Sequence, residues 1–110
     1  KKVVPQTPCD KVRHIASKYK WDVNVITAIS HAESGCRSTA TGDKTLTYEL
    51  NGHIYGYSVS AMQVRILPGR EHCDTHDLKR NMECAYQIYE SQGYNAWTMY
   101  QNGGYIKYLR

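Results

Sequence analysis

Apolar residues recur at helical spacing in the first third of the chain. One series follows Asp10, a residue type that caps helix N-termini, and its members are Val12, Ile15, Ala16 and Tyr19. A second series follows two candidate caps, Asp22 and Asn24, and ends at Gly35, where glycine permits a helix to stop. Its members are Val25, Ile26, Ile29 and Ala32. The pattern predicts two amphipathic helices, preceded by an extended segment over residues 1–9.

Helical spacing then fails, and the middle of the chain carries turn signals. Residues 45–50 and 53–57 are rich in β-prone side chains and flank the pair Asn51-Gly52. An Asn-Gly pair between two such runs is the strongest short-range signal for a β-hairpin, with both residues at positive φ in a type I′ turn. We therefore predict a hairpin here.

The rest of the chain favours short helices. A helix is expected over residues 60–66, because the residue before Pro68 avoids the α region and ends it. A longer one begins at Asn81 and stops before Gly93, with one apolar face formed by Met82, Ala85, Tyr86 and Tyr89. Residues 96–101 predict a further helix, and residues 105–109 a final turn.

The length of the chain permits one hydrophobic core. A domain of 110 residues buries roughly 65% of the surface that its unfolded chain exposes. We therefore expect a single domain over residues 10–110 of the mainly α, α+β class, in which a helical bundle surrounds a cleft and carries a small inserted β-hairpin. No apolar run approaches the ~20 residues of a transmembrane helix, so a membrane-spanning segment is not expected.

Charge and aromatic content narrow the class of partner. Lys and Arg number 14 against 10 Asp and Glu, and the basic residues form no stripe or block, which argues against a nucleic-acid partner. Ten tyrosines and two tryptophans with no phenylalanine give almost every ring a polar group, which suits contact with a polyhydroxylated ligand. The alternative interpretation is that most of the tyrosines fill a small hydrophobic core that lacks phenylalanine.

The four cysteines, Cys9, Cys36, Cys73 and Cys84, predict two disulfides. Such a framework in a small chain indicates an oxidising location: secreted, periplasmic or associated with a cell wall. Three pairings are open, and the one we adopt is Cys36–Cys73 with Cys9–Cys84. A zinc site at His72, Cys73, His76 and Cys84 is the alternative, but no second close pair of ligands completes a zinc pattern, so no metal is expected.

Glu33 is the residue whose position most needs a chemical explanation. It falls seven residues after Ile26 and four after Ile29, so in a helix it shares their apolar face. It also lies in the last turn, where the helix dipole disfavours negative charge. Both effects raise the pKa of Glu33 and favour the protonated carboxyl that a general acid needs. A surface glutamate at a frayed helix end fits the same spacing.

Three segments resemble, in the same order, the signatures of the lysozyme-like lytic transglycosylases, which include soluble lytic transglycosylases and goose-type-lysozyme-like domains. They are His-Ala-Glu-Ser-Gly-Cys at 31–36, Ser-Val-Ser-Ala-Met-Gln-Val at 58–64 and Ala-Trp-Thr-Met-Tyr-Gln-Asn-Gly at 96–103. In that family a Glu-Ser pair supplies the catalytic acid, a Gly-Leu-Met-Gln segment lines the cleft, and an Ala-x-x-x-Tyr-Asn-x-Gly segment brings a tyrosine over the acid. The resemblance covers roughly residues 10–109.

Carried over residue by residue, the resemblance implies that Glu33 is the catalytic acid and that Tyr100 lies near it. The expected substrate-binding residues are Ser34, Tyr57, Met62, Gln63, Trp97 and Tyr100. Two departures concern contact with sugar: Ser60-Ala61 stand where the family has Gly-Leu, and Gln101 stands where it has Asn.

The resemblance also implies a reaction: cleavage of the β-1,4 bond between N-acetylmuramic acid and N-acetylglucosamine in peptidoglycan, without a cofactor. A lytic transglycosylase uses one glutamate and the C6 hydroxyl of the substrate, and forms 1,6-anhydro products. A lysozyme-type muramidase instead hydrolyses the bond with a second carboxylate. Asp43, which follows Thr41-Gly42, is the first choice for that partner ahead of Glu49 and Asp74, although an aspartate there also suits a turn cap.

An alternative from another class is a non-catalytic glycan-binding module. In it the rings of Tyr55, Tyr57, Trp97 and Tyr100 stack on sugars. Glu33 would then merely accept a hydrogen bond from a sugar hydroxyl. We favour the enzyme because burying a carboxyl is costly and binding alone gives no reason for that cost. Either hypothesis gives peptidoglycan strands as the partner, and we expect a monomer.

Overall fold

Two α-helices, then five short strands and then two more α-helices follow one another along the described part of the chain, residues 7–110. In these residues the computed structural model contains four α-helices: α1 Pro8–Ala16, α2 Val23–Ser34, α3 Leu78–Gln92 and α4 Thr98–Gln101. It also contains five strands: β1 Thr41–Gly42, β2 Tyr48–Leu50, β3 His53–Tyr55, β4 Ser58–Val59 and β5 Val64–Arg65. Short 3-10 turns cover Lys44–Leu46, Glu71–Cys73, Gly93–Ala96 and Ile106–Tyr108. The fold is mixed α+β.

Helix α1 begins earlier than the apolar pattern predicted. Thr7 is the N-cap: its hydroxyl accepts the Asp10 N–H at 3.0 Å, while the Asp10 carboxylate accepts the Thr7 N–H at 3.3 Å. Asp10 is therefore the third helical residue of a capping box and not the cap. Residues 8 and 9 are helical, which corrects the extended segment predicted for 1–9, and residues 1–6 of that prediction lie outside the described residues.

Helix α2 confirms its predicted bounds and carries much of the core. The Asp22 carboxylate accepts the N–H groups of Asn24 and Val25, and Gly35 ends the helix in the left-handed region at φ 67°. Ile26 and Ile29 are fully buried, as their spacing predicted. The helix packs against α1, α4 and the last 3-10 turn.

The predicted β-hairpin is confirmed, with a later start. β2 and β3 pair antiparallel with Leu50 opposite His53, and both Asn51 (φ 52°) and Gly52 (φ 79°) have the positive φ of a type I′ turn. The first strand begins at Tyr48 and not at residue 45, because residues 44–46 form a 3-10 turn.

The helix predicted over residues 60–66 is wrong. This segment is the turn and second strand of another hairpin, in a sheet with strand order β1–β4–β5, in which Ser58 faces Arg65. Ser60 (φ 68°) and Gln63 (φ 48°) both lie in the left-handed region, which no α-helix contains. We refer to residues 60–63 as the buried turn, since Ser60, Ala61 and Met62 are each 0% exposed.

Side chains from distant segments satisfy the backbone of the buried turn. The Asn81 amide of α3 accepts the Met62 N–H at 2.8 Å and donates to the Val59 carbonyl at 3.1 Å. The hydroxyls of Ser30 and Ser34 in α2 both donate to the Ala61 carbonyl, at 2.8 and 2.6 Å. Trp97 Nε1–H donates to the Met62 carbonyl at 2.7 Å. A buried backbone without such partners would be strongly destabilised, so these contacts explain the fold of the segment.

The predicted disulfides form, but the pairing adopted from the sequence is wrong. The bonds are Cys9–Cys36 and Cys73–Cys84, not Cys36–Cys73 and Cys9–Cys84, and no cysteine of the described residues is free. The start of α1 lies beside the end of α2, which brings the first pair to a Cα–Cα distance of 5.0 Å. The second pair joins the segment before α3 to α3 itself. Two disulfides are compatible with an oxidising compartment.

The later helices are displaced from their predicted bounds. α3 begins three residues before the predicted Asn81, because the Asp77 carboxylate caps it by accepting the Arg80 N–H at 2.9 Å, and Gly93 follows its end as predicted. The helix predicted over 96–101 is shortened to Thr98–Gln101. Many of the tyrosines pack on one another around these elements: Tyr19, Tyr86, Tyr89, Tyr94, Tyr100 and Tyr105 form successive ring contacts.

None of the helices within residues 7–110 combines the length and the hydropathy that crossing a bilayer requires.

The role of Asn81 gives a stability prediction. Asn81→Ala leaves the Met62 N–H unpaired in the core, at a cost of about 1–3 kcal/mol, and removes the amide donor to the Val59 carbonyl, which still faces Val64 in the sheet. We expect the free energy of unfolding to fall by about 1–3 kcal/mol in urea titrations followed by circular dichroism. Asn95→Ala, at an exposed position, is the control and should stay within about 0.5 kcal/mol of the wild type. Equal midpoints for the two variants would contradict this account of the buried turn.

Candidate active site

Glu33 lies half-buried at the end of α2, as its spacing predicted. Its Oε2 accepts the N–H of Met99 at 3.3 Å. Met99 is in the first turn of α4, where backbone N–H groups have no partner within the helix and the preceding Trp97 supplies no side-chain cap. The Glu33 carboxyl at the end of α2 thus accepts a hydrogen bond from a free N–H group at the start of α4.

The surroundings of Glu33 favour its protonated form. Burial is the largest effect and raises the pKa of the carboxyl, and the negative charge of Asp43 raises it further. The Met99 N–H acts in the opposite direction, because it stabilises the carboxylate, and is outweighed. Glu33 therefore holds its proton to a higher pH than an exposed glutamate does.

Glu33 opens onto a cavity of about 220 Å³, which we call the Glu33 cavity. Its walls come from several elements: the end of α2, the segment after β1, the buried turn with β5, and the start of α4. The residues that line it are Glu33, Asp43, Leu46, Gln63, Arg65, Ala96, Trp97 and Thr98. Chain segments far apart in sequence therefore form one pocket around the acid.

Asp43 shares this cavity with Glu33. The pairing of Gly42 with Ser58 brings Asp43 beside β4, where its carboxylate accepts the Ser58 hydroxyl at 2.5 Å. Its side chain does not cap the 3-10 turn that follows, so the turn-cap interpretation of this aspartate is not what the structure has. The predicted first choice for a second carboxylate is thus exposed at the cavity and close enough to act on the charge of Glu33.

Gln63 lines the cavity, as expected of the Met-Gln segment. Its side-chain N–H donates to the Ser60 carbonyl at 2.8 Å and to the Ala40 carbonyl at 3.4 Å, which fixes the amide. A Cβ at Gly42 would collide with Gln63 Oε1, so glycine there makes room for the amide.

Ser34 and Met62, two of the predicted substrate-binding residues, lie behind the wall of the Glu33 cavity. Met62 is 0% exposed and belongs to the core, and Ser34 is buried with its hydroxyl donating to the carbonyls of Ser30 and Ala61. Neither lines the Glu33 cavity. In the Glu-Ser pair, Glu33 lines the cavity and Ser34 packs behind it. In the Met-Gln pair, Gln63 lines the cavity and Met62 belongs to the core.

Of the three aromatic candidates Tyr57, Trp97 and Tyr100, Trp97 alone lines the Glu33 cavity in the described residues. The Tyr100 ring packs between Tyr94 and Tyr105, at centroid distances of 5.2 and 4.9 Å, and the backbone N–H of Met99 contacts the acid. Tyr57 is outside the cavity wall and donates its hydroxyl to Asp74, a bond that raises the pKa of Tyr57 to about 12. Trp97 is 4% exposed and borders the cavity mainly as a packed core residue.

The Glu33 cavity shares four wall residues with a second depression, which has a volume of about 250 Å³. Gln63, Arg65, Ala96 and Trp97 line both, and Arg70, Ile88 and Gln92 line the far part. Sequence reasoning missed Arg65 because it placed residues 60–66 in a helix.

The cysteine-rich segment does not supply metal ligands of the usual kind. Ligand atoms of His72, Cys73 and Cys84 lie within 4.8 Å of one another, but the two sulfurs are bonded to each other. Metals bind the thiolate form of cysteine, so this cluster is a disulfide with a histidine beside it.

No protein-family model, curated protein or solved structure matches the chain.

The raised pKa of Glu33 gives a stability prediction with a definite sign. A carboxyl whose pKa is higher in the folded state contributes stability below its unfolded pKa and loses that contribution as the pH rises through the folded pKa. Glu33→Gln removes the buried charge and retains an oxygen that can accept from Met99. We therefore expect this variant to melt at a higher temperature than the wild type at pH 7–8. The difference should vanish below about pH 4, where the glutamate is protonated in both states.

Differential scanning calorimetry across this pH range makes the measurement. Glu49→Gln, on the exposed hairpin, is the matched control because it makes the same chemical change at an exposed carboxyl. A Glu33→Gln variant less stable than the wild type at pH 7–8 would contradict the unfavourable burial of the charge.

Proposed function

We propose that this chain is a peptidoglycan-cleaving glycosidase of the lysozyme-like class, most closely a lytic transglycosylase, and that Glu33 is its general acid. The observation that carries the proposal is a half-buried carboxyl of raised pKa that lines a cavity, with a second depression sharing part of the cavity wall. A protonated acid is what glycosidic bond cleavage needs, and adjoining depressions offer places for neighbouring sugar units. The two disulfides suit work in a secreted, periplasmic or cell-wall location.

The convergence of the three resembling segments supports the lysozyme-like assignment. Residues 31–36 contribute Glu33, residues 58–64 contribute Gln63, and residues 96–103 contribute Trp97 and Thr98 to one cavity. Segments that resemble a family only by chance have no reason to meet around one carboxyl. Their meeting at one carboxyl is therefore an argument in favour of the proposal.

In the proposed reaction Glu33 acts first as acid and then as base. It donates its proton to the glycosidic oxygen, the bond between that oxygen and C1 of the muramic acid breaks, and positive charge develops on the ring. The C6 hydroxyl of the same ring attacks C1 and gives its proton to the Glu33 carboxylate. The products are a 1,6-anhydromuramic end and an N-acetylglucosamine with a free 4-hydroxyl, and the acid is restored.

Hydrolysis is the second candidate, and Asp43 is the observation that favours it. Its exposed carboxylate lines the same cavity as Glu33. In a muramidase this carboxylate would activate a water molecule or stabilise the charged ring, and the product would carry an ordinary reducing end. The two reactions share the acid and differ in whether a second carboxylate is required.

Mass spectrometry of peptidoglycan digests tests the proposal. We expect the wild type to release fragments with 1,6-anhydromuramic ends and Glu33→Gln to lower the rate by about 10²-fold or more, because general acid catalysis is lost. Asp43→Asn should keep the anhydro products. It should also move the alkaline limit of activity to lower pH, because one charge that raises the pKa of Glu33 is gone. Glu49→Gln is the control and should keep the wild-type rate.

The other outcomes separate the alternatives. Reducing ends that disappear in Asp43→Asn would favour the muramidase. A wild type that binds peptidoglycan and releases no fragments would favour the glycan-binding module and refute the enzyme.

A further inference from the structure

The depression beside the Glu33 cavity is lined by positive charge without negative charge. Its two ionisable side chains are Arg65 and Arg70, and its other polar walls are the neutral Gln63 and Gln92. Arg65 also reaches the Glu33 cavity, so the positive end of the groove lies directly beside the proposed point of cleavage. We call this part of the groove the arginine depression.

Both guanidinium groups are half-buried, and within residues 7–110 neither is paired with a carboxylate. Burial lowers the pKa of Arg70, and no nearby acid opposes that effect. Partial burial without an adjacent carboxylate is unfavourable for the Arg70 cation. No acid lines the depression that Arg65 and Arg70 share, so an anionic ligand there would supply the missing negative charge.

Backbone contacts hold the two side chains in place. Arg65 Nε–H donates to the Gly56 carbonyl at 2.9 Å, and Arg70 Nη1–H donates to the Arg65 carbonyl at 3.1 Å. A guanidinium has five N–H donors, so most donors of each remain free. Fixed, forked donors suit the planar, two-oxygen geometry of a carboxylate.

We infer that the arginine depression is a binding subsite for a carboxylate of the substrate. This inference rests on the proposed function, and it adds a basis for specificity: peptidoglycan carries carboxylates, whereas chitin, with the same β-1,4 linkage and N-acetyl groups, is neutral. The carboxylate has two sources in peptidoglycan. One is the stem peptide, and the other is the lactyl group of muramic acid where the peptide has been removed.

Equilibrium binding in a Glu33→Gln background tests the subsite without turnover. Three ligands separate the sources of charge: peptide-bearing glycan fragments, the same fragments after an amidase has removed the peptides, and neutral chitohexaose. We expect Arg70→Gln to weaken binding of carboxylate-bearing fragments about ten-fold, equivalent to about 1.4 kcal/mol. Binding of chitohexaose should be unchanged.

Two further variants control for charge and for folding. Arg80→Gln makes the same charge change at an exposed position of α3, outside the depression, and should leave all three affinities unchanged. Arg70→Lys keeps the positive charge but loses the paired N–H donors of the guanidinium group. Its affinities for carboxylate-bearing fragments should therefore fall between those of the wild type and Arg70→Gln. Melting temperatures confirm that each variant tested is folded.

The pattern across ligands decides the proposal. A loss confined to peptide-bearing fragments identifies the stem peptide, and a loss for peptide-free fragments identifies the lactyl carboxylate. An equal loss for chitohexaose, or no loss in folded Arg70→Gln, would overturn the subsite. The proposed function fails separately, since a wild type that releases no fragments can still show the selective loss, and an active enzyme can lack it.

Discussion

The buried turn at residues 60–63 is the constraint on which the rest of the structure depends. Its backbone is closed from water, and the polar backbone groups of Ala61 and Met62 are paired by side chains of Asn81, Trp97 and the serines of α2. The same bonds join α2, α3, the sheet and the start of α4 around one point. One of them comes from Ser34, the residue after Glu33, so the position of the acid depends on the turn. Gln63, the last residue of the turn, faces the cavity.

Glu33 is the residue of the candidate site that destabilises the fold. Glu33 is half-buried near another carboxylate, with one backbone N–H to favour its charge. A protein selected for stability alone would have a neutral side chain at this position, because a raised carboxyl pKa destabilises the fold at neutral pH. Catalytic sites often contain ionisable groups whose pKa is shifted even though the shift destabilises the fold, so the raised pKa of Glu33 fits a catalytic role. Arg65 and Arg70 line the adjoining depression, so the candidate site has an acid in one part and cations in the other.

Local signals in the sequence predicted local structure. Asp22 and Gly35 marked α2, Asn51-Gly52 marked the hairpin, and the spacing of Glu33 from Ile26 and Ile29 marked the candidate acid. Residues 60–66 were mistaken for a helix because the bonds that bend them come from residues 19 to 35 positions away. Ser34, Met62 and Tyr100 do not line the cavity for a related reason. Motif order indicates which segments meet, but the packing of each segment decides which of its side chains faces the cavity. Disulfide pairing likewise depends on how α1 lies beside α2.

The central claim is that the Glu33 carboxyl stays protonated beyond the pH at which an ordinary glutamate ionises. The most direct measurement is a titration of its side-chain carboxyl by carbon-13 NMR, assigned by comparison with Glu33→Gln. We expect a midpoint clearly above the value of about 4.3 for an unperturbed glutamate. A midpoint at or below that value would show that the carboxyl is not destabilised as an anion, and would contradict its role as a proton donor.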